Sequence, residues 1–159
     1  GAVDFETSYT THVEKTSAYD VSGEAGVKYF YRAMAFDGSD RVIGASSVVS
    51  ATAKPIKALG PTTVGAVAEG TKVQWNPYGG LSACFSYYKV VWSLENPEPS
   101  YLGGDPAVPV EGQASNRAVL SADQLKPGKT YYIRVQAIRS TALGAFVVAQ
   151  STVKTYAVP

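Results

Sequence analysis

The sequence predicts an all-β fold of packed antiparallel sheets, and three observations predict it. Residue usage is the first: 11 Tyr, 15 Gly and 9 Pro stand against one Met, with Val and Thr abundant, which is the usage of short strands and turns. The second is a period of two in Thr130-Tyr-Tyr-Ile-Arg-Val-Gln-Ala-Ile138, setting Tyr131, Ile133, Val135 and Ala137 inward and Tyr132, Arg134 and Gln136 outward. The third is that this stretch has an upstream counterpart. Ala25 to Phe36 aligns with Pro127 to Ile138, with identities at the Gly, one Tyr, the Arg and one Ala, at an offset of 131 − 29 = 102 residues.

A repeat of that length is a whole sandwich domain rather than a solenoid unit, so the chain is expected to be a tandem. The first unit, 1–55, holds a strand-like stretch from Tyr9 to Lys15, the repeated strand, a turn at Asp37-Gly-Ser-Asp-Arg41, and a strand from Ser46 that stops at Pro55. Residues 56–60 are expected to be a short linker that restricts the relative orientation of its neighbours. The second unit, 61–159, begins with a strand from Val64 to Ala68. Next, Thr71 to Pro77 places Val73 and Trp75 on one face, and Ser86 to Ser93 places Tyr88, Val90 and Trp92 on one face. The Gly- and Pro-rich connection from Leu94 to Gln113 has room for one short edge strand before pairing resumes at Arg117 to Ser121. A turn at Leu125-Lys-Pro-Gly-Lys129 leads into the repeated strand, and Gln150 to Pro159 closes the unit.

Bulk properties exclude several partners. With 14 basic and 13 acidic residues, a formal charge of +1 gives no field to draw in nucleic acid or an anionic membrane. No apolar run is long enough for a membrane span. Cys84 is the single cysteine, so an intrachain disulfide is ruled out and a buried, inert thiol is expected.

Val73-Gln-Trp75, Tyr88-Lys-Val90, Leu125-Lys-Pro-Gly, Tyr131 and Arg134-Val-Gln-Ala137 together resemble the hallmarks of the fibronectin type III module. The resemblance implies an immunoglobulin-like β-sandwich, one complete module from about residue 58 and the C-terminal half of another before it. It gives structural roles to Trp75, Tyr88, Leu125 and Pro127, and to Tyr131 and Tyr29 as tyrosine corners whose hydroxyls bond back to the chain. The first unit would lack strands A, B and most or all of C, so another polypeptide or an upstream segment is expected to supply them.

Chemistry is scarce. His12 is the single histidine, in an alternating stretch where an outward polar residue needs no further role. Asp37 and Asp40 flank a turn that favours aspartate, with no third carboxylate for a cation. Glu95, Glu98 and Asp105 lie on a loop with no strand to fix their separation. Neither an enzyme active site, a cofactor nor a metal site is therefore expected. The leading expectation is a spacer, adhesion or assembly module of a larger extracellular protein, with secreted bacterial multidomain proteins as the setting the resemblance suggests. A second is a glycan- or protein-binding accessory domain using an outward face of Tyr87, Lys89, Tyr132 and Arg134. A third is a fragment of a nicked secreted hydrolase whose catalytic domain is on another chain.

Overall fold

The computed structural model describes residues 20, 21, 23–60, 62–142 and 144–159 and divides at Pro55/Ile56 into two compact units. In the first unit, β1 (Lys28–Tyr31) pairs antiparallel with β4 (Val49–Thr52), and β2 (Met34–Phe36) pairs with β3 (Val42–Ala45). The turn between β2 and β3 is built by Asp37. Its carboxylate accepts the N–H groups of Ser39 and Arg41 at 2.9 and 3.1 Å and pairs with the Arg41 guanidinium at 3.0 Å. Those backbone bonds hold the carboxyl below its usual range. Asp40 takes the left-handed conformation, φ 58°, which short polar residues tolerate.

The second unit is a two-layer sandwich. Strands β5 (Lys57–Ala58), β6 (Thr63–Val67) and β7 (Gly70–Gln74) precede a single 3-10 turn, Ser82–Cys84; β8 (Tyr87–Ser93), β9 (Ala107–Glu111), β10 (Arg117–Leu120), β11 (Thr130–Thr141), β12 (Gly144–Gln150) and β13 (Lys154–Ala157) follow. One sheet runs β10-β7-β6 and the other β5-β12-β11-β8-β9, with β13 also on β11. This is the A-B-E against C′-C-F-G arrangement of fibronectin type III modules, the last strand being split into β12 and β13. Between the sheets lie Val73, Trp75, Tyr88, Val90, Trp92, Leu120, Leu125, Tyr131, Ile133, Val135 and Ala137. Trp75 meets Tyr88 edge-on, ring centroids 5.3 Å apart.

Residues 56–60 differ from the expected linker. Lys57 and Ala58 pair in parallel with Ala149 and Gln150, Leu59 N–H donates to Gln150 O at 2.8 Å, and the Leu59 side chain is buried in the second unit's core. Cys84 also departs from expectation: it is half-buried, because it ends a surface 3-10 turn instead of facing the sheets.

The hydrogen bonding of β1–β4 reproduces that of β11–β13. In the second unit Gly128 N–H donates to Val158 O, Val158 N–H to Lys129 O and Ser151 N–H to Val135 O; in the first, Gly26 donates to Ala53, Ala53 to Val27 and Ser46 to Ala33. Each serine hydroxyl accepts an N–H from the facing strand, Val135 at 3.1 Å or Ala33 at 3.0 Å, and donates to the next carbonyl in the chain. A register shift falls between Ala137 and Ile138 and between Ala35 and Phe36. The Tyr131 hydroxyl accepts Lys126 N–H at 3.1 Å and the Tyr29 hydroxyl accepts Glu24 N–H at 2.8 Å. The offset is 128 − 26 = 102 on the first strand and 158 − 53 = 105 on its return. The intervening turn is therefore three residues longer in the second unit.

Candidate binding face

On the second unit's larger sheet, alternation along β8 and β11 directs Tyr87, Lys89 and Val91 and, across from them, Ile138, Gln136 and Arg134 away from the core. The pairs are Ile138 with Tyr87, Gln136 with Lys89 and Arg134 with Val91. Such a face normally meets water. Here it does not: Val91 and Ile138 are fully buried outside the main core, Gln136 is 2% exposed and Arg134 9%.

Over Gln136 and Arg134 the cover is the connection between β8 and β9. The Gln136 side-chain carbonyl accepts Tyr101 N–H at 2.9 Å, and its amide donates to the Gln150 side chain at 3.2 Å. The Arg134 guanidinium donates to Glu98, whose side chain stays 70% exposed. Lys89 Nζ lies 4.5 Å from the Tyr101 ring centroid and 5.5 Å from that of Tyr87. Burial pushes the Tyr87 phenol up from its ordinary value, and Tyr101 beside it adds to the shift.

Asp105 gives this connection its shape. Its carboxylate accepts Ser100 N–H and the Asn96 amide, each at 2.8 Å. Burial alone would raise that carboxyl, but hydrogen bonds from Ser100, Asn96 and Ser93 outweigh it and hold the group below the usual carboxylate range. Asn96 in turn accepts Glu98 N–H at 3.0 Å.

The four residues expected to form an open face therefore share one side of the sheet but are not equally available. Tyr87, Lys89 and Tyr132 are half-buried and Arg134 is buried. The expectation of a freely exposed Arg134 is corrected, because alternation reports which way a side chain points and not what lies over it. Gln136, which alternation does place outward, belongs to the same constellation, as do Glu98, Tyr101 and Asp105, which sequence reasoning did not connect to this face. The sequence signal for the loop residues was Asn96-Pro-Glu-Pro-Ser100, whose Asn and prolines favour a set turn over a loose loop.

The structural residues lie in the sandwich itself. Trp75, Tyr88, Leu125 and Tyr131 are buried in the core, and Pro127 is exposed in the turn leading into β11. The Tyr88 hydroxyl accepts Tyr78 N–H and donates to Gln113 O, both at 2.6 Å. Gln113 closes the loop by donating from its own amide to Tyr78 O and Gly80 O, each at 2.9 Å. Burial raises the Tyr88 phenol despite the bond it accepts from Tyr78.

His12 lies outside the described residues. Among those described, no three His, Cys, Asp or Glu side chains gather as a metal would need, and no helix is long and apolar enough to cross a membrane. A groove of about 260 Å³ at the turn between β6 and β7 is lined by small and apolar side chains such as Ala66, Val67 and Leu125, with Glu69 its one charged group. A lone carboxylate there provides no acid–base pair.

No protein-family model matches this sequence, and no curated protein matches it. Among solved structures, the FN1–FN3 domains of chicken CNTN1 are similar at 17% identity and a TM-score of 0.49, over 89% of this chain and 45% of that one. The chain thus spans under half the length of the structure it matches. By its own geometry this is an all-β protein whose second unit is an immunoglobulin-like sandwich with fibronectin type III strand order.

Proposed function

We propose that this chain is a non-catalytic structural element of a larger extracellular protein: one complete sandwich module preceded by the C-terminal half of another, acting as a spacer or assembly segment. The observation that carries the reading is the roof over the β8–β11 face. A binding surface presents aromatic and Arg side chains that a partner can desolvate. Here Gln136 and Arg134 are engaged by the chain's own residues 94–106, through Tyr101 and Glu98. The matched hydrogen bonding of the two terminal hairpins supports the tandem part of the reading.

The binding alternative retains one favourable observation, the Lys89 ammonium set between the Tyr87 and Tyr101 rings at the edge of the roof. Aromatic rings beside a cation suit a sugar or an acidic side chain. An NMR titration of the full chain with neutral and acidic oligosaccharides separates the two. The spacer reading expects no saturable shift at Tyr87, Lys89 or Tyr101. A saturable shift confined to them replaces it with the binding reading.

A further inference from the structure

Residues 94–106 run from the end of β8 to the start of β9 without a strand or helix of their own, so no backbone ladder holds them in place. Side-chain bonds hold them instead, and they centre on Asp105. Its carboxylate accepts Ser100 N–H and the Asn96 amide, with the Ser93 hydroxyl as a third donor. Asn96 is set in turn by its own N–H on the Ser93 hydroxyl at 3.1 Å, and Ser100 O accepts the N–H groups of Gly103 and Asp105 at 3.1 and 3.2 Å. Gly104, at φ 88°, makes the left-handed step that returns Asp105 to Ser100.

This connection is anchored on the outer face of β11 at two points, Tyr101 N–H on the Gln136 side chain and Glu98 on the Arg134 guanidinium. Tyr101 is the residue after Ser100, and Glu98 donates its own N–H to Asn96. Asp105 touches neither anchor, yet it holds the residue beside each. The sandwich has no such dependence. Trp75, Tyr88, Val90, Ile133 and Val135 pack on the opposite side of β8 and β11, and β8 keeps its pairing with β11 and β9 whatever lies over them.

We infer that residues 94–106 are an acid-released strap with Asp105 as its clasp: protonating that carboxyl lets the strap lift from Arg134 and Gln136 while both sheets stay folded. An ionised acceptor makes hydrogen bonds roughly twice as strong as a neutral one, and the protonated acid also turns an O–H toward groups that are themselves donors. Those donors hold the carboxyl below the usual carboxylate range. Their contribution is therefore complete above the ordinary value of about 4 and is lost as pH falls through the lower, folded one. The charged and titratable groups around the strap are Glu95 and Glu98 on it, Tyr101 at its far turn, Tyr87 and Lys89 on β8, Arg134 on β11 and Glu111 on β9. Glu98 is the other carboxylate bonded to the sheet, so the test has to tell it from Asp105.

Amide exchange of the full chain, read by NMR as protection relative to each residue's intrinsic rate, provides that test. From about pH 6 to about pH 3, protection of Ser100 and Tyr101 should fall together by roughly tenfold or more while that of Ile133 and Val135 holds. Asp105→Asn should show the low protection already at the higher pH and lose the dependence on acid. Glu98→Gln should keep the acid response of Ser100. Protection of Ser100 and Tyr101 that stays flat to the acid end overturns the inference. So does a fall shared equally by Ile133 and Val135, which is unfolding of the whole unit, or an acid response that Glu98→Gln removes and Asp105→Asn keeps. Should Asp105→Asn loosen the entire unit, the wild-type series decides alone. None of these outcomes turns on whether the unit binds a ligand, so this inference and the spacer reading fail separately.

Discussion

Replacing Tyr88 with phenylalanine removes a single oxygen that serves two backbone groups, and its cost can be worked from where each group is left. Tyr78 N–H, now bonded at 2.6 Å, belongs to a buried residue and would lose its acceptor, a penalty of about 1–3 kcal/mol. Gln113 O belongs to a half-buried residue and can take a water instead, so its loss is nearer 0.5–1 kcal/mol. Together they give about 1.5–4 kcal/mol, or roughly 6–30 °C in Tm for a unit of this size. Both tryptophans, Trp75 and Trp92, lie in this core, so urea unfolding followed by tryptophan fluorescence reports the second unit alone. Tyr131→Phe is the internal comparison. It removes one bond from an exposed residue, Lys126, which water can replace, for about 0.5–1.5 kcal/mol. If Tyr88→Phe shifts the midpoint no more than Tyr131→Phe does, the Tyr78–Tyr88–Gln113 connection is not a buried bond network.

The same residue sets an alkaline limit. A phenol whose folded pKa is raised above its ordinary 10.0 contributes stability that is complete below pH 10 and is lost as pH climbs toward the folded value; the fall in midpoint above pH 10 should be shallower in Tyr88→Phe than in the wild type. Ser151→Ala orphans the N–H of fully buried Val135 and should cost the second unit about 1–3 kcal/mol, measured by the same fluorescence assay. Gln136→Leu keeps the volume but removes the acceptor of Tyr101 N–H. Amide exchange at Tyr101 should rise at least tenfold while exchange in β11 stays slow; an unchanged Tyr101 amide would mean the roof hangs on other contacts.

The sandwich was legible because its determinants are local and periodic. Alternation in 130–138 and the Val73/Trp75 and Tyr88/Val90/Trp92 faces reports directly which side chains meet between sheets, and the turn Leu125-Lys-Pro-Gly needs only nearby residues. The roof was not legible, because burial of Arg134 and Gln136 depends on a segment more than 30 residues away whose own fold rests on side-chain bonds to Asp105 and Asn96, which follow no period. Leu59 was missed for a related reason: a short stretch between two repeats looks the same in sequence whether it floats or inserts one side chain into a core. Ser46 and Ser151 occupy equivalent places, between β3 and β4 and between β12 and β13, yet the aligned pattern there contains a three-residue length change that hid the match.

The parallel pairing of β5 with β12 has a mechanical consequence. Both ends of the second unit are stitched to the same sheet, β5 through two residue pairs on β12 and β13 through four on β11. Tension applied along the chain is taken up first at those two seams, each loaded lengthwise. The shorter seam at Lys57–Ala58 yields before the longer one. Its release lengthens the chain by a few residues and leaves the remaining strands paired, so the unit gives slightly under load before it unfolds.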